Sequence, residues 1–390
     1  MTSVLGLVFL VIIAIIGKYI IAHIHIKRIG FGFLVYSGFY YLILGVVSKP
    51  NILNILDLSV VGKSEFFFNF VLGWTGFLVG LQLHFKGIKR FPGKYFTISL
   101  IHFLISFLIM TTALFFFVKL GWVQIPLLYI FLLSIVGSMG SVLGVGLLVK
   151  QRSIRSTNAH FLQFTTAFDN VLGIIFLGML FFVYQLTHLE PKHALLVNGV
   201  AYFLVILLAF FYKYLDNEFK TAEEESLLVI GLILIVVGMA RYLHNSILFL
   251  TFLLGALIIN MKVDTKKILM TVQEWEKPLN FILLFAIGLY LDFDILSKGV
   301  LFLVFLGSMG LAKYLAGAFN RKFQKASPNE ASTNNYVLYG MSSLSLAMVL
   351  DAYFTNHSHP LLNVLTLIVL SYYLTNALIL FLMNRKNIEI

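Results

Sequence analysis

Apolar residues along this chain fall into blocks of about twenty separated by short polar loops, the length an α-helix needs to cross a hydrocarbon core of roughly 30 Å. Thirteen such blocks can be laid on the sequence, at 3–22, 31–48, 63–82, 95–119, 123–149, 159–186, 194–214, 224–243, 245–261, 278–292, 299–320, 335–355 and 360–384. The tenth is short and follows Trp275 and Pro278, which predicts an interfacial segment that turns into the membrane at the proline. Only Met-Thr-Ser precedes the first block, and its basic residues Lys27 and Arg28 come after it, so a retained helix is expected there. Ser, Pro, Asn and Thr between Gln324 and Asn335 predict a flexible polar loop.

Composition agrees with this pattern. Hydrophobic residues make up 60% of the chain and charged ones 12%, and the mean hydropathy is +0.95. These values describe an all-α polytopic membrane protein whose main solvent is lipid. The absence of cysteine excludes disulfides, thiolate zinc sites and thiol catalysis. A net charge of +11 invites a nucleic-acid reading, but the Lys and Arg residues lie scattered in short loops and form no basic patch. They report topology instead. Alternate connections hold 20 of the 28 basic residues, among them Lys86, Arg90, Arg152 and Arg321, and the opposite set holds six. The positive-inside rule then places the N-terminus outside and the C-terminal tail, 385–390, in the cytoplasm of a plasma or inner membrane. The acidic run Glu223-Glu224-Glu225 reads as a solvated loop end at the start of a helix.

Two blocks carry small polar residues at their centres. The fifth contains Gly137, Ser138, Gly140 and Ser141, and the twelfth contains Gly340, Ser342 and Ser343. Such interruptions predict helices that unwind midway, freeing backbone groups to bind ions, although Gly and Ser also permit close helix packing in lipid. Position favours unwinding: each interrupted block is the middle of a three-helix unit, blocks 4–6 and 11–13, as inverted repeats require. The expected organisation is a panel at 1–94, a first core repeat at 95–186, a linker and further panel helices at 187–298, and a second core repeat at 299–384.

Asp169 stands alone in the sixth block with about ten uncharged residues on either side. An ionisable group at that depth is costly and marks an ion or proton path. Lys313, deep in the eleventh block, is the expected ion-pair partner of Asp169, either as part of the transport cycle or as a static link between two helices.

At these residues the chain resembles the monovalent cation:proton antiporter superfamily, the sodium/proton and potassium/proton exchangers. The run Phe77-Leu78-Val79-Gly80-Leu81, its second copy Phe285-Ala286-Ile287-Gly288-Leu289, and the Ser246 to Gly255 stretch are similar to the family's motifs. The resemblance implies a homodimer, an elevator motion of a six-helix core against a panel, two broken helices crossing beside a membrane-embedded Asp, and a Lys like Lys313 paired with an acid. It implies monovalent cation and proton as the partners, no cofactor, and no catalytic residue. One departure matters: family members carry Asp-Asp or Asn-Asp where this chain has Asp169-Asn170. The usual ion-binding acid has become an amide, which can coordinate a cation but cannot release a proton. Asp169 is then expected to serve proton and metal cation alike, with Asn170, Thr166 and backbone oxygens near Ser138 completing an oxygen shell.

Other polar residues are assigned smaller roles. His102 is expected to be a hydrogen-bonded packing histidine and Arg241 an outer-boundary residue; Asp292, Asp294 and Asp351 are expected to be wet. His160, at the cytoplasmic start of the Asp169 helix, is a candidate pH sensor. No P-loop, HExxH or GxSxG pattern is present, so enzymatic chemistry is not expected. The reading is a secondary antiporter, with a sodium-coupled organic-anion symporter or a non-transporting sensor on the same fold as alternatives.

Overall fold

A computed structural model describes residues 33–34, 36–49, 58–150, 156–215, 222–261, 265–292, 299–321 and 338–388. The first block, Asp294 and the Gln324–Asn335 loop lie outside the described residues. Fourteen helices are described: α1 Phe39–Val47, α2 Leu58–Leu81, α3 Phe85–Ile88, α4 Gly93–Lys119, α5 Leu127–Ser138, α6 Val142–Lys150, α7 Ser156–His188, α8 Pro191–Leu215, α9 Ala222–Tyr242, α10 Ile247–Asn260, α11 Thr265–Tyr290, α12 Gly299–Arg321, α13 Leu344–Asn356 and α14 His359–Ile388. Seven of these are long and apolar enough to cross a membrane.

The apolar blocks and the helices coincide closely, with three informative differences. The tenth block begins well before Pro278: α11 runs unbroken from Thr265, and the proline sits inside it. The C-terminal tail is a continuation of α14 to Ile388. The acidic run does stand at a helix start, as expected, but it is not solvated throughout. Glu223 and Glu224 are exposed, but Glu225 is buried and accepts a hydrogen bond of 2.8 Å from the Tyr212 hydroxyl of α8. All three acids lie in the first turn of α9, where negative charge offsets the unpaired N–H groups of a helix start.

Helices here bury a narrow stripe and turn the rest of their apolar surface outward. On α8 the buried positions are Ala194, Asn198, Ala201, Val205, Ala209 and Tyr212, a single line of mostly small side chains. Leu196, Phe203, Leu207 and Phe210 of the same helix are exposed. In water that surface would drive aggregation; in lipid it is the solvated face.

The tightest packings pair α2 with α10, α4 with α12 and α1 with α11. Two of these share one device. A Cβ on Gly80 would overlap the carbonyl oxygen of Phe252, and one on Gly255 would overlap that of Phe77. The second motif copy repeats this arrangement: Gly45 abuts the Phe285 carbonyl and Gly288 the Leu42 carbonyl. Each pair brings two backbones into direct contact, as small residues allow in membranes where the hydrophobic effect between helices is absent.

Candidate functional site

The fifth block does break. α5 stops at Ser138 because Met139 is extended, with φ −76° and ψ 140°, and α6 resumes at Val142. Gly140 forms an isolated antiparallel bridge with Met341, just before α13 starts at Leu344. The two interruptions therefore meet backbone to backbone, and that junction is the centre of the site.

Unwinding a helix in an apolar interior strands carbonyl and N–H groups, so each must find a partner. Ser345 donates to the Val136 carbonyl at 3.0 Å and Ser138 to that of Ser134 at 2.6 Å. The Ser141 hydroxyl accepts from Gly144 N–H at 3.0 Å, capping α6, and the Ser342 hydroxyl accepts from Leu344 N–H at 3.2 Å. Asn376 of α14 donates to the Met341 carbonyl at 2.9 Å. Ser343 is exposed and makes no cap bond. The polar residues of the two interruptions thus chiefly hold the break open.

Lys313 belongs to this scaffold. It is 1% exposed, and its ammonium donates to the carbonyls of Met139 and Gly340, each at 2.9 Å, and more weakly to Tyr339 at 3.5 Å. The direct ion pair expected with Asp169 is not formed. The reason is local: the end of α5 and the irregular backbone just before α13 present several carbonyl dipoles at one place, and these take the ammonium's donors.

Asp169 lies on the other side of the junction, on α7. It is fully buried, and neither carboxylate oxygen has a hydrogen-bond partner. Glycine at 140 permits this approach: a Cβ there would stand 2.7 Å from Thr166 Cγ2 and 3.4 Å from Asp169 Oδ2. The Thr166 hydroxyl donates back along its helix to Leu162 at 2.9 Å, which leaves its oxygen able to accept or coordinate. Asn170 is 9% exposed with Oδ1 unpartnered. The structure thus gathers Asp169, Thr166 and Gly140, while His160 is exposed at the start of α7.

One residue assigned a minor role, His102, and one not singled out in the sequence, Asn376, belong to this centre. His102 of α4 is not hydrogen-bonded packing: it is fully buried, both ring nitrogens lack a partner, and Nδ1 lies 3.4 Å from Asp169 Oδ2. The signal was the stripe Ser99, His102 and Ser106, spaced as one face of a mostly apolar helix; Ser99 donates to Thr165 of α7 at 3.1 Å. Asn376 stands to Gly340 as Asp169 stands to Gly140, with Oδ1 at 2.8 Å from where a Cβ on Gly340 would be.

A second polar cluster corrects the expectation for Asp351. It is fully buried, not wet. Its carboxylate accepts from the Ser246 hydroxyl at 2.6 Å and from the N–H groups of Ile247 and Leu248 at 3.1 and 3.3 Å, closing the start of α10. Nearby, Arg241 pairs with Glu65 at 2.6 Å, and His357 approaches the same carboxylate at 3.6 Å. Asp292 is 25% exposed, and its N–H donates to the Thr366 hydroxyl at 2.9 Å.

The chain is similar in fold to two solved structures of one archaeal protein, the sodium proton antiporter MjNhaP1 from Methanocaldococcus jannaschii. The structure at pH 8 matches with a TM-score of 0.67 at 16% identity, covering 98% of this chain and 96% of that one. A structure of MjNhaP1 from an electron-microscopy map matches with a TM-score of 0.55 at 17% identity, covering 88% of each. No curated protein matches the chain. The family model described as "Sodium/hydrogen exchanger, transmembrane" matches residues 11–384, a stretch that takes in both interrupted helices, Asp169 and Lys313. The chain therefore belongs to the transmembrane sodium/hydrogen exchanger family, and it is a secondary cation/proton antiporter, not an enzyme.

Proposed function

We propose that this chain exchanges Na+ for protons across a plasma or inner membrane, with Asp169 carrying each in turn. One observation carries this reading: a fully buried carboxylate with both oxygens unbonded, set against unwound backbone. An ionised carboxylate without a donor or counter-ion at that depth costs several kcal/mol. Asp169 is therefore stable when it holds a proton or when it holds a cation, and one occupant excludes the other. That exclusion is antiport. Asn170 and Thr166 supply neutral oxygens beside it, and Lys313 ties the junction's carbonyls together.

The access change assigned to this site is an elevator motion, in which 95–186 and 299–384 move as a core against a panel of 1–94 and 187–298 within a homodimer. The tight packings support that division, since α2–α10 and α1–α11 fall within the panel and α4–α12 within the core. With the basic loops inside, the N-terminus faces out and the C-terminus the cytoplasm.

The test is proton flux in proteoliposomes loaded with a pH dye, with Na+, K+ and Li+ added in turn. Cation-driven alkalinisation that Asp169→Asn abolishes, while the variant still folds, is the expected result. Exchange retained by Asp169→Asn removes this carboxylate from the mechanism.

A further inference from the structure

We infer that His102 is a specificity-determining residue of the ion site, acting through Asp169 by occupying one of its two carboxylate oxygens. This inference rests on the reading of Asp169 as the exchange site. It starts from a geometry that nothing else in the molecule explains: two side chains from different helices, both with no exposed surface, face each other at 3.4 Å, yet neither makes a hydrogen bond to any other described group. Buried polar atoms are satisfied in the large majority of cases, so an unsatisfied set on both sides of one gap marks where a ligand or a short rearrangement supplies the missing bonds.

The chemistry of the pair fits both loads. A neutral imidazole carries one donor and one acceptor. It can accept from the carboxyl when Asp169 holds the proton, and it can donate to Oδ2 when Asp169 holds a cation. In the second case Oδ2 is taken, and the cation receives a single carboxylate oxygen, Oδ1, plus neutral oxygens. The number of oxygens that a site offers, and its rigidity, are what separate hard cations of different size. Lys313 cannot take this role, since its donors are turned to the carbonyls of Met139 and Gly340. The α4 side of the pair is braced by the Ser99 to Thr165 hydrogen bond one turn away, which fixes the spacing of α4 and α7 and holds the imidazole opposite the carboxylate.

The experiment compares His102→Leu, which removes both nitrogens, with His102→Gln, whose amide can donate and accept. Each is reconstituted in proteoliposomes beside the wild type and Asp169→Asn, and the apparent KM and maximal rate are measured for Na+, Li+ and K+. The expected result is a change of tenfold or more in the KM ratio between Na+ and K+ for His102→Leu, with Gln holding that ratio within about threefold of wild type. A packing role alone would lower the amount of folded protein and the rate for all three ions together, without moving the ratio. An unchanged ratio in His102→Leu overturns the inference. If the leucine variant does not fold, a tenfold ratio change in His102→Gln overturns it instead, because that variant retains both hydrogen-bonding functions. Loss of exchange in Asp169→Asn together with an unmoved ratio in the His102 variants refutes this inference alone; exchange retained in Asp169→Asn refutes the reading beneath it.

Discussion

Asp351→Ala is expected to lower the melting temperature of the detergent-solubilised protein by about 3–6 °C. The native carboxylate accepts three hydrogen bonds, from the Ser246 hydroxyl and from the N–H groups of Ile247 and Leu248 at the start of α10, and it does so without exposure to solvent. Truncation leaves those donors facing an apolar gap. Ser246 can redirect its hydroxyl, but the two backbone N–H groups cannot turn, and a buried donor left unmatched costs about 1–3 kcal/mol. Adding the small cavity left by the side chain gives a loss of about 3–5 kcal/mol. Scaled by chain length, an unfolding entropy of ~2 cal/mol/K per residue makes each kcal/mol worth roughly 1 °C in a 390-residue chain. The assay is the fraction of monodisperse protein remaining after heating, read by fluorescence-detected size exclusion. Ser246→Ala serves as the internal control: it removes one donor to Asp351 and the acceptor of Phe249 N–H, and a loss of about 1 kcal/mol is expected. The double variant should fall short of the sum, since both changes disrupt one cluster. A melting temperature for Asp351→Ala within 1 °C of wild type would refute the view that this carboxylate holds the start of α10.

Three further outcomes follow from the packing. Lys313→Met, which keeps an unbranched side chain one atom shorter but removes its donors from the Met139 and Gly340 carbonyls, should cost about 2–4 kcal/mol of stability; a melting curve superimposable on wild type would count against the ammonium as a support of the junction. Gly255→Ala should separate α2 from α10, because its methyl would overlap the Phe77 carbonyl oxygen, and a loss of about 1–3 kcal/mol is expected. Gly146→Ala, at a position with open space, should leave the melting temperature unchanged.

The features that depend on one helix at a time were legible in the sequence. Block length placed most of the described helices to within a few residues, the start of α11 being the clear miss, and the Gly and Ser residues around 137–141 and 340–343 marked the two stretches of irregular backbone that meet. Asp169 stood out because a carboxylate at that depth has no local excuse. What escaped was the identity of partners across helices. Asp351 lies near the end of its block and so looked wet, yet its partners are the first N–H groups of a helix about a hundred residues earlier. Charge alone suggested that Lys313 would seek Asp169, but the breaks themselves created acceptors that no side-chain count includes. His102 fell between these cases: its stripe with Ser99 and Ser106 was readable, but the facing helix was not. The glycine motifs were recognisable as patterns, while their physical content, a reciprocal contact of two backbones, exists only in the pair.

Lys313 has a consequence for turnover. A passenger ion is absent from its seat for part of every cycle, and backbone that relied on it would have to rewind or hydrate at each departure. Here the Lys313 side chain, tethered to α12, donates to the Met139 and Gly340 carbonyls, so the unwound backbone at the junction is satisfied by a group that cannot diffuse away. In the exchange cycle proposed for Asp169, loading and unloading then fall to the few side chains around that carboxylate, and the carbonyls held by Lys313 take no part in them. The energetic cost of unwinding backbone in an apolar interior is then met when the protein is assembled, and on the proposed cycle it does not recur with each departure of a passenger ion.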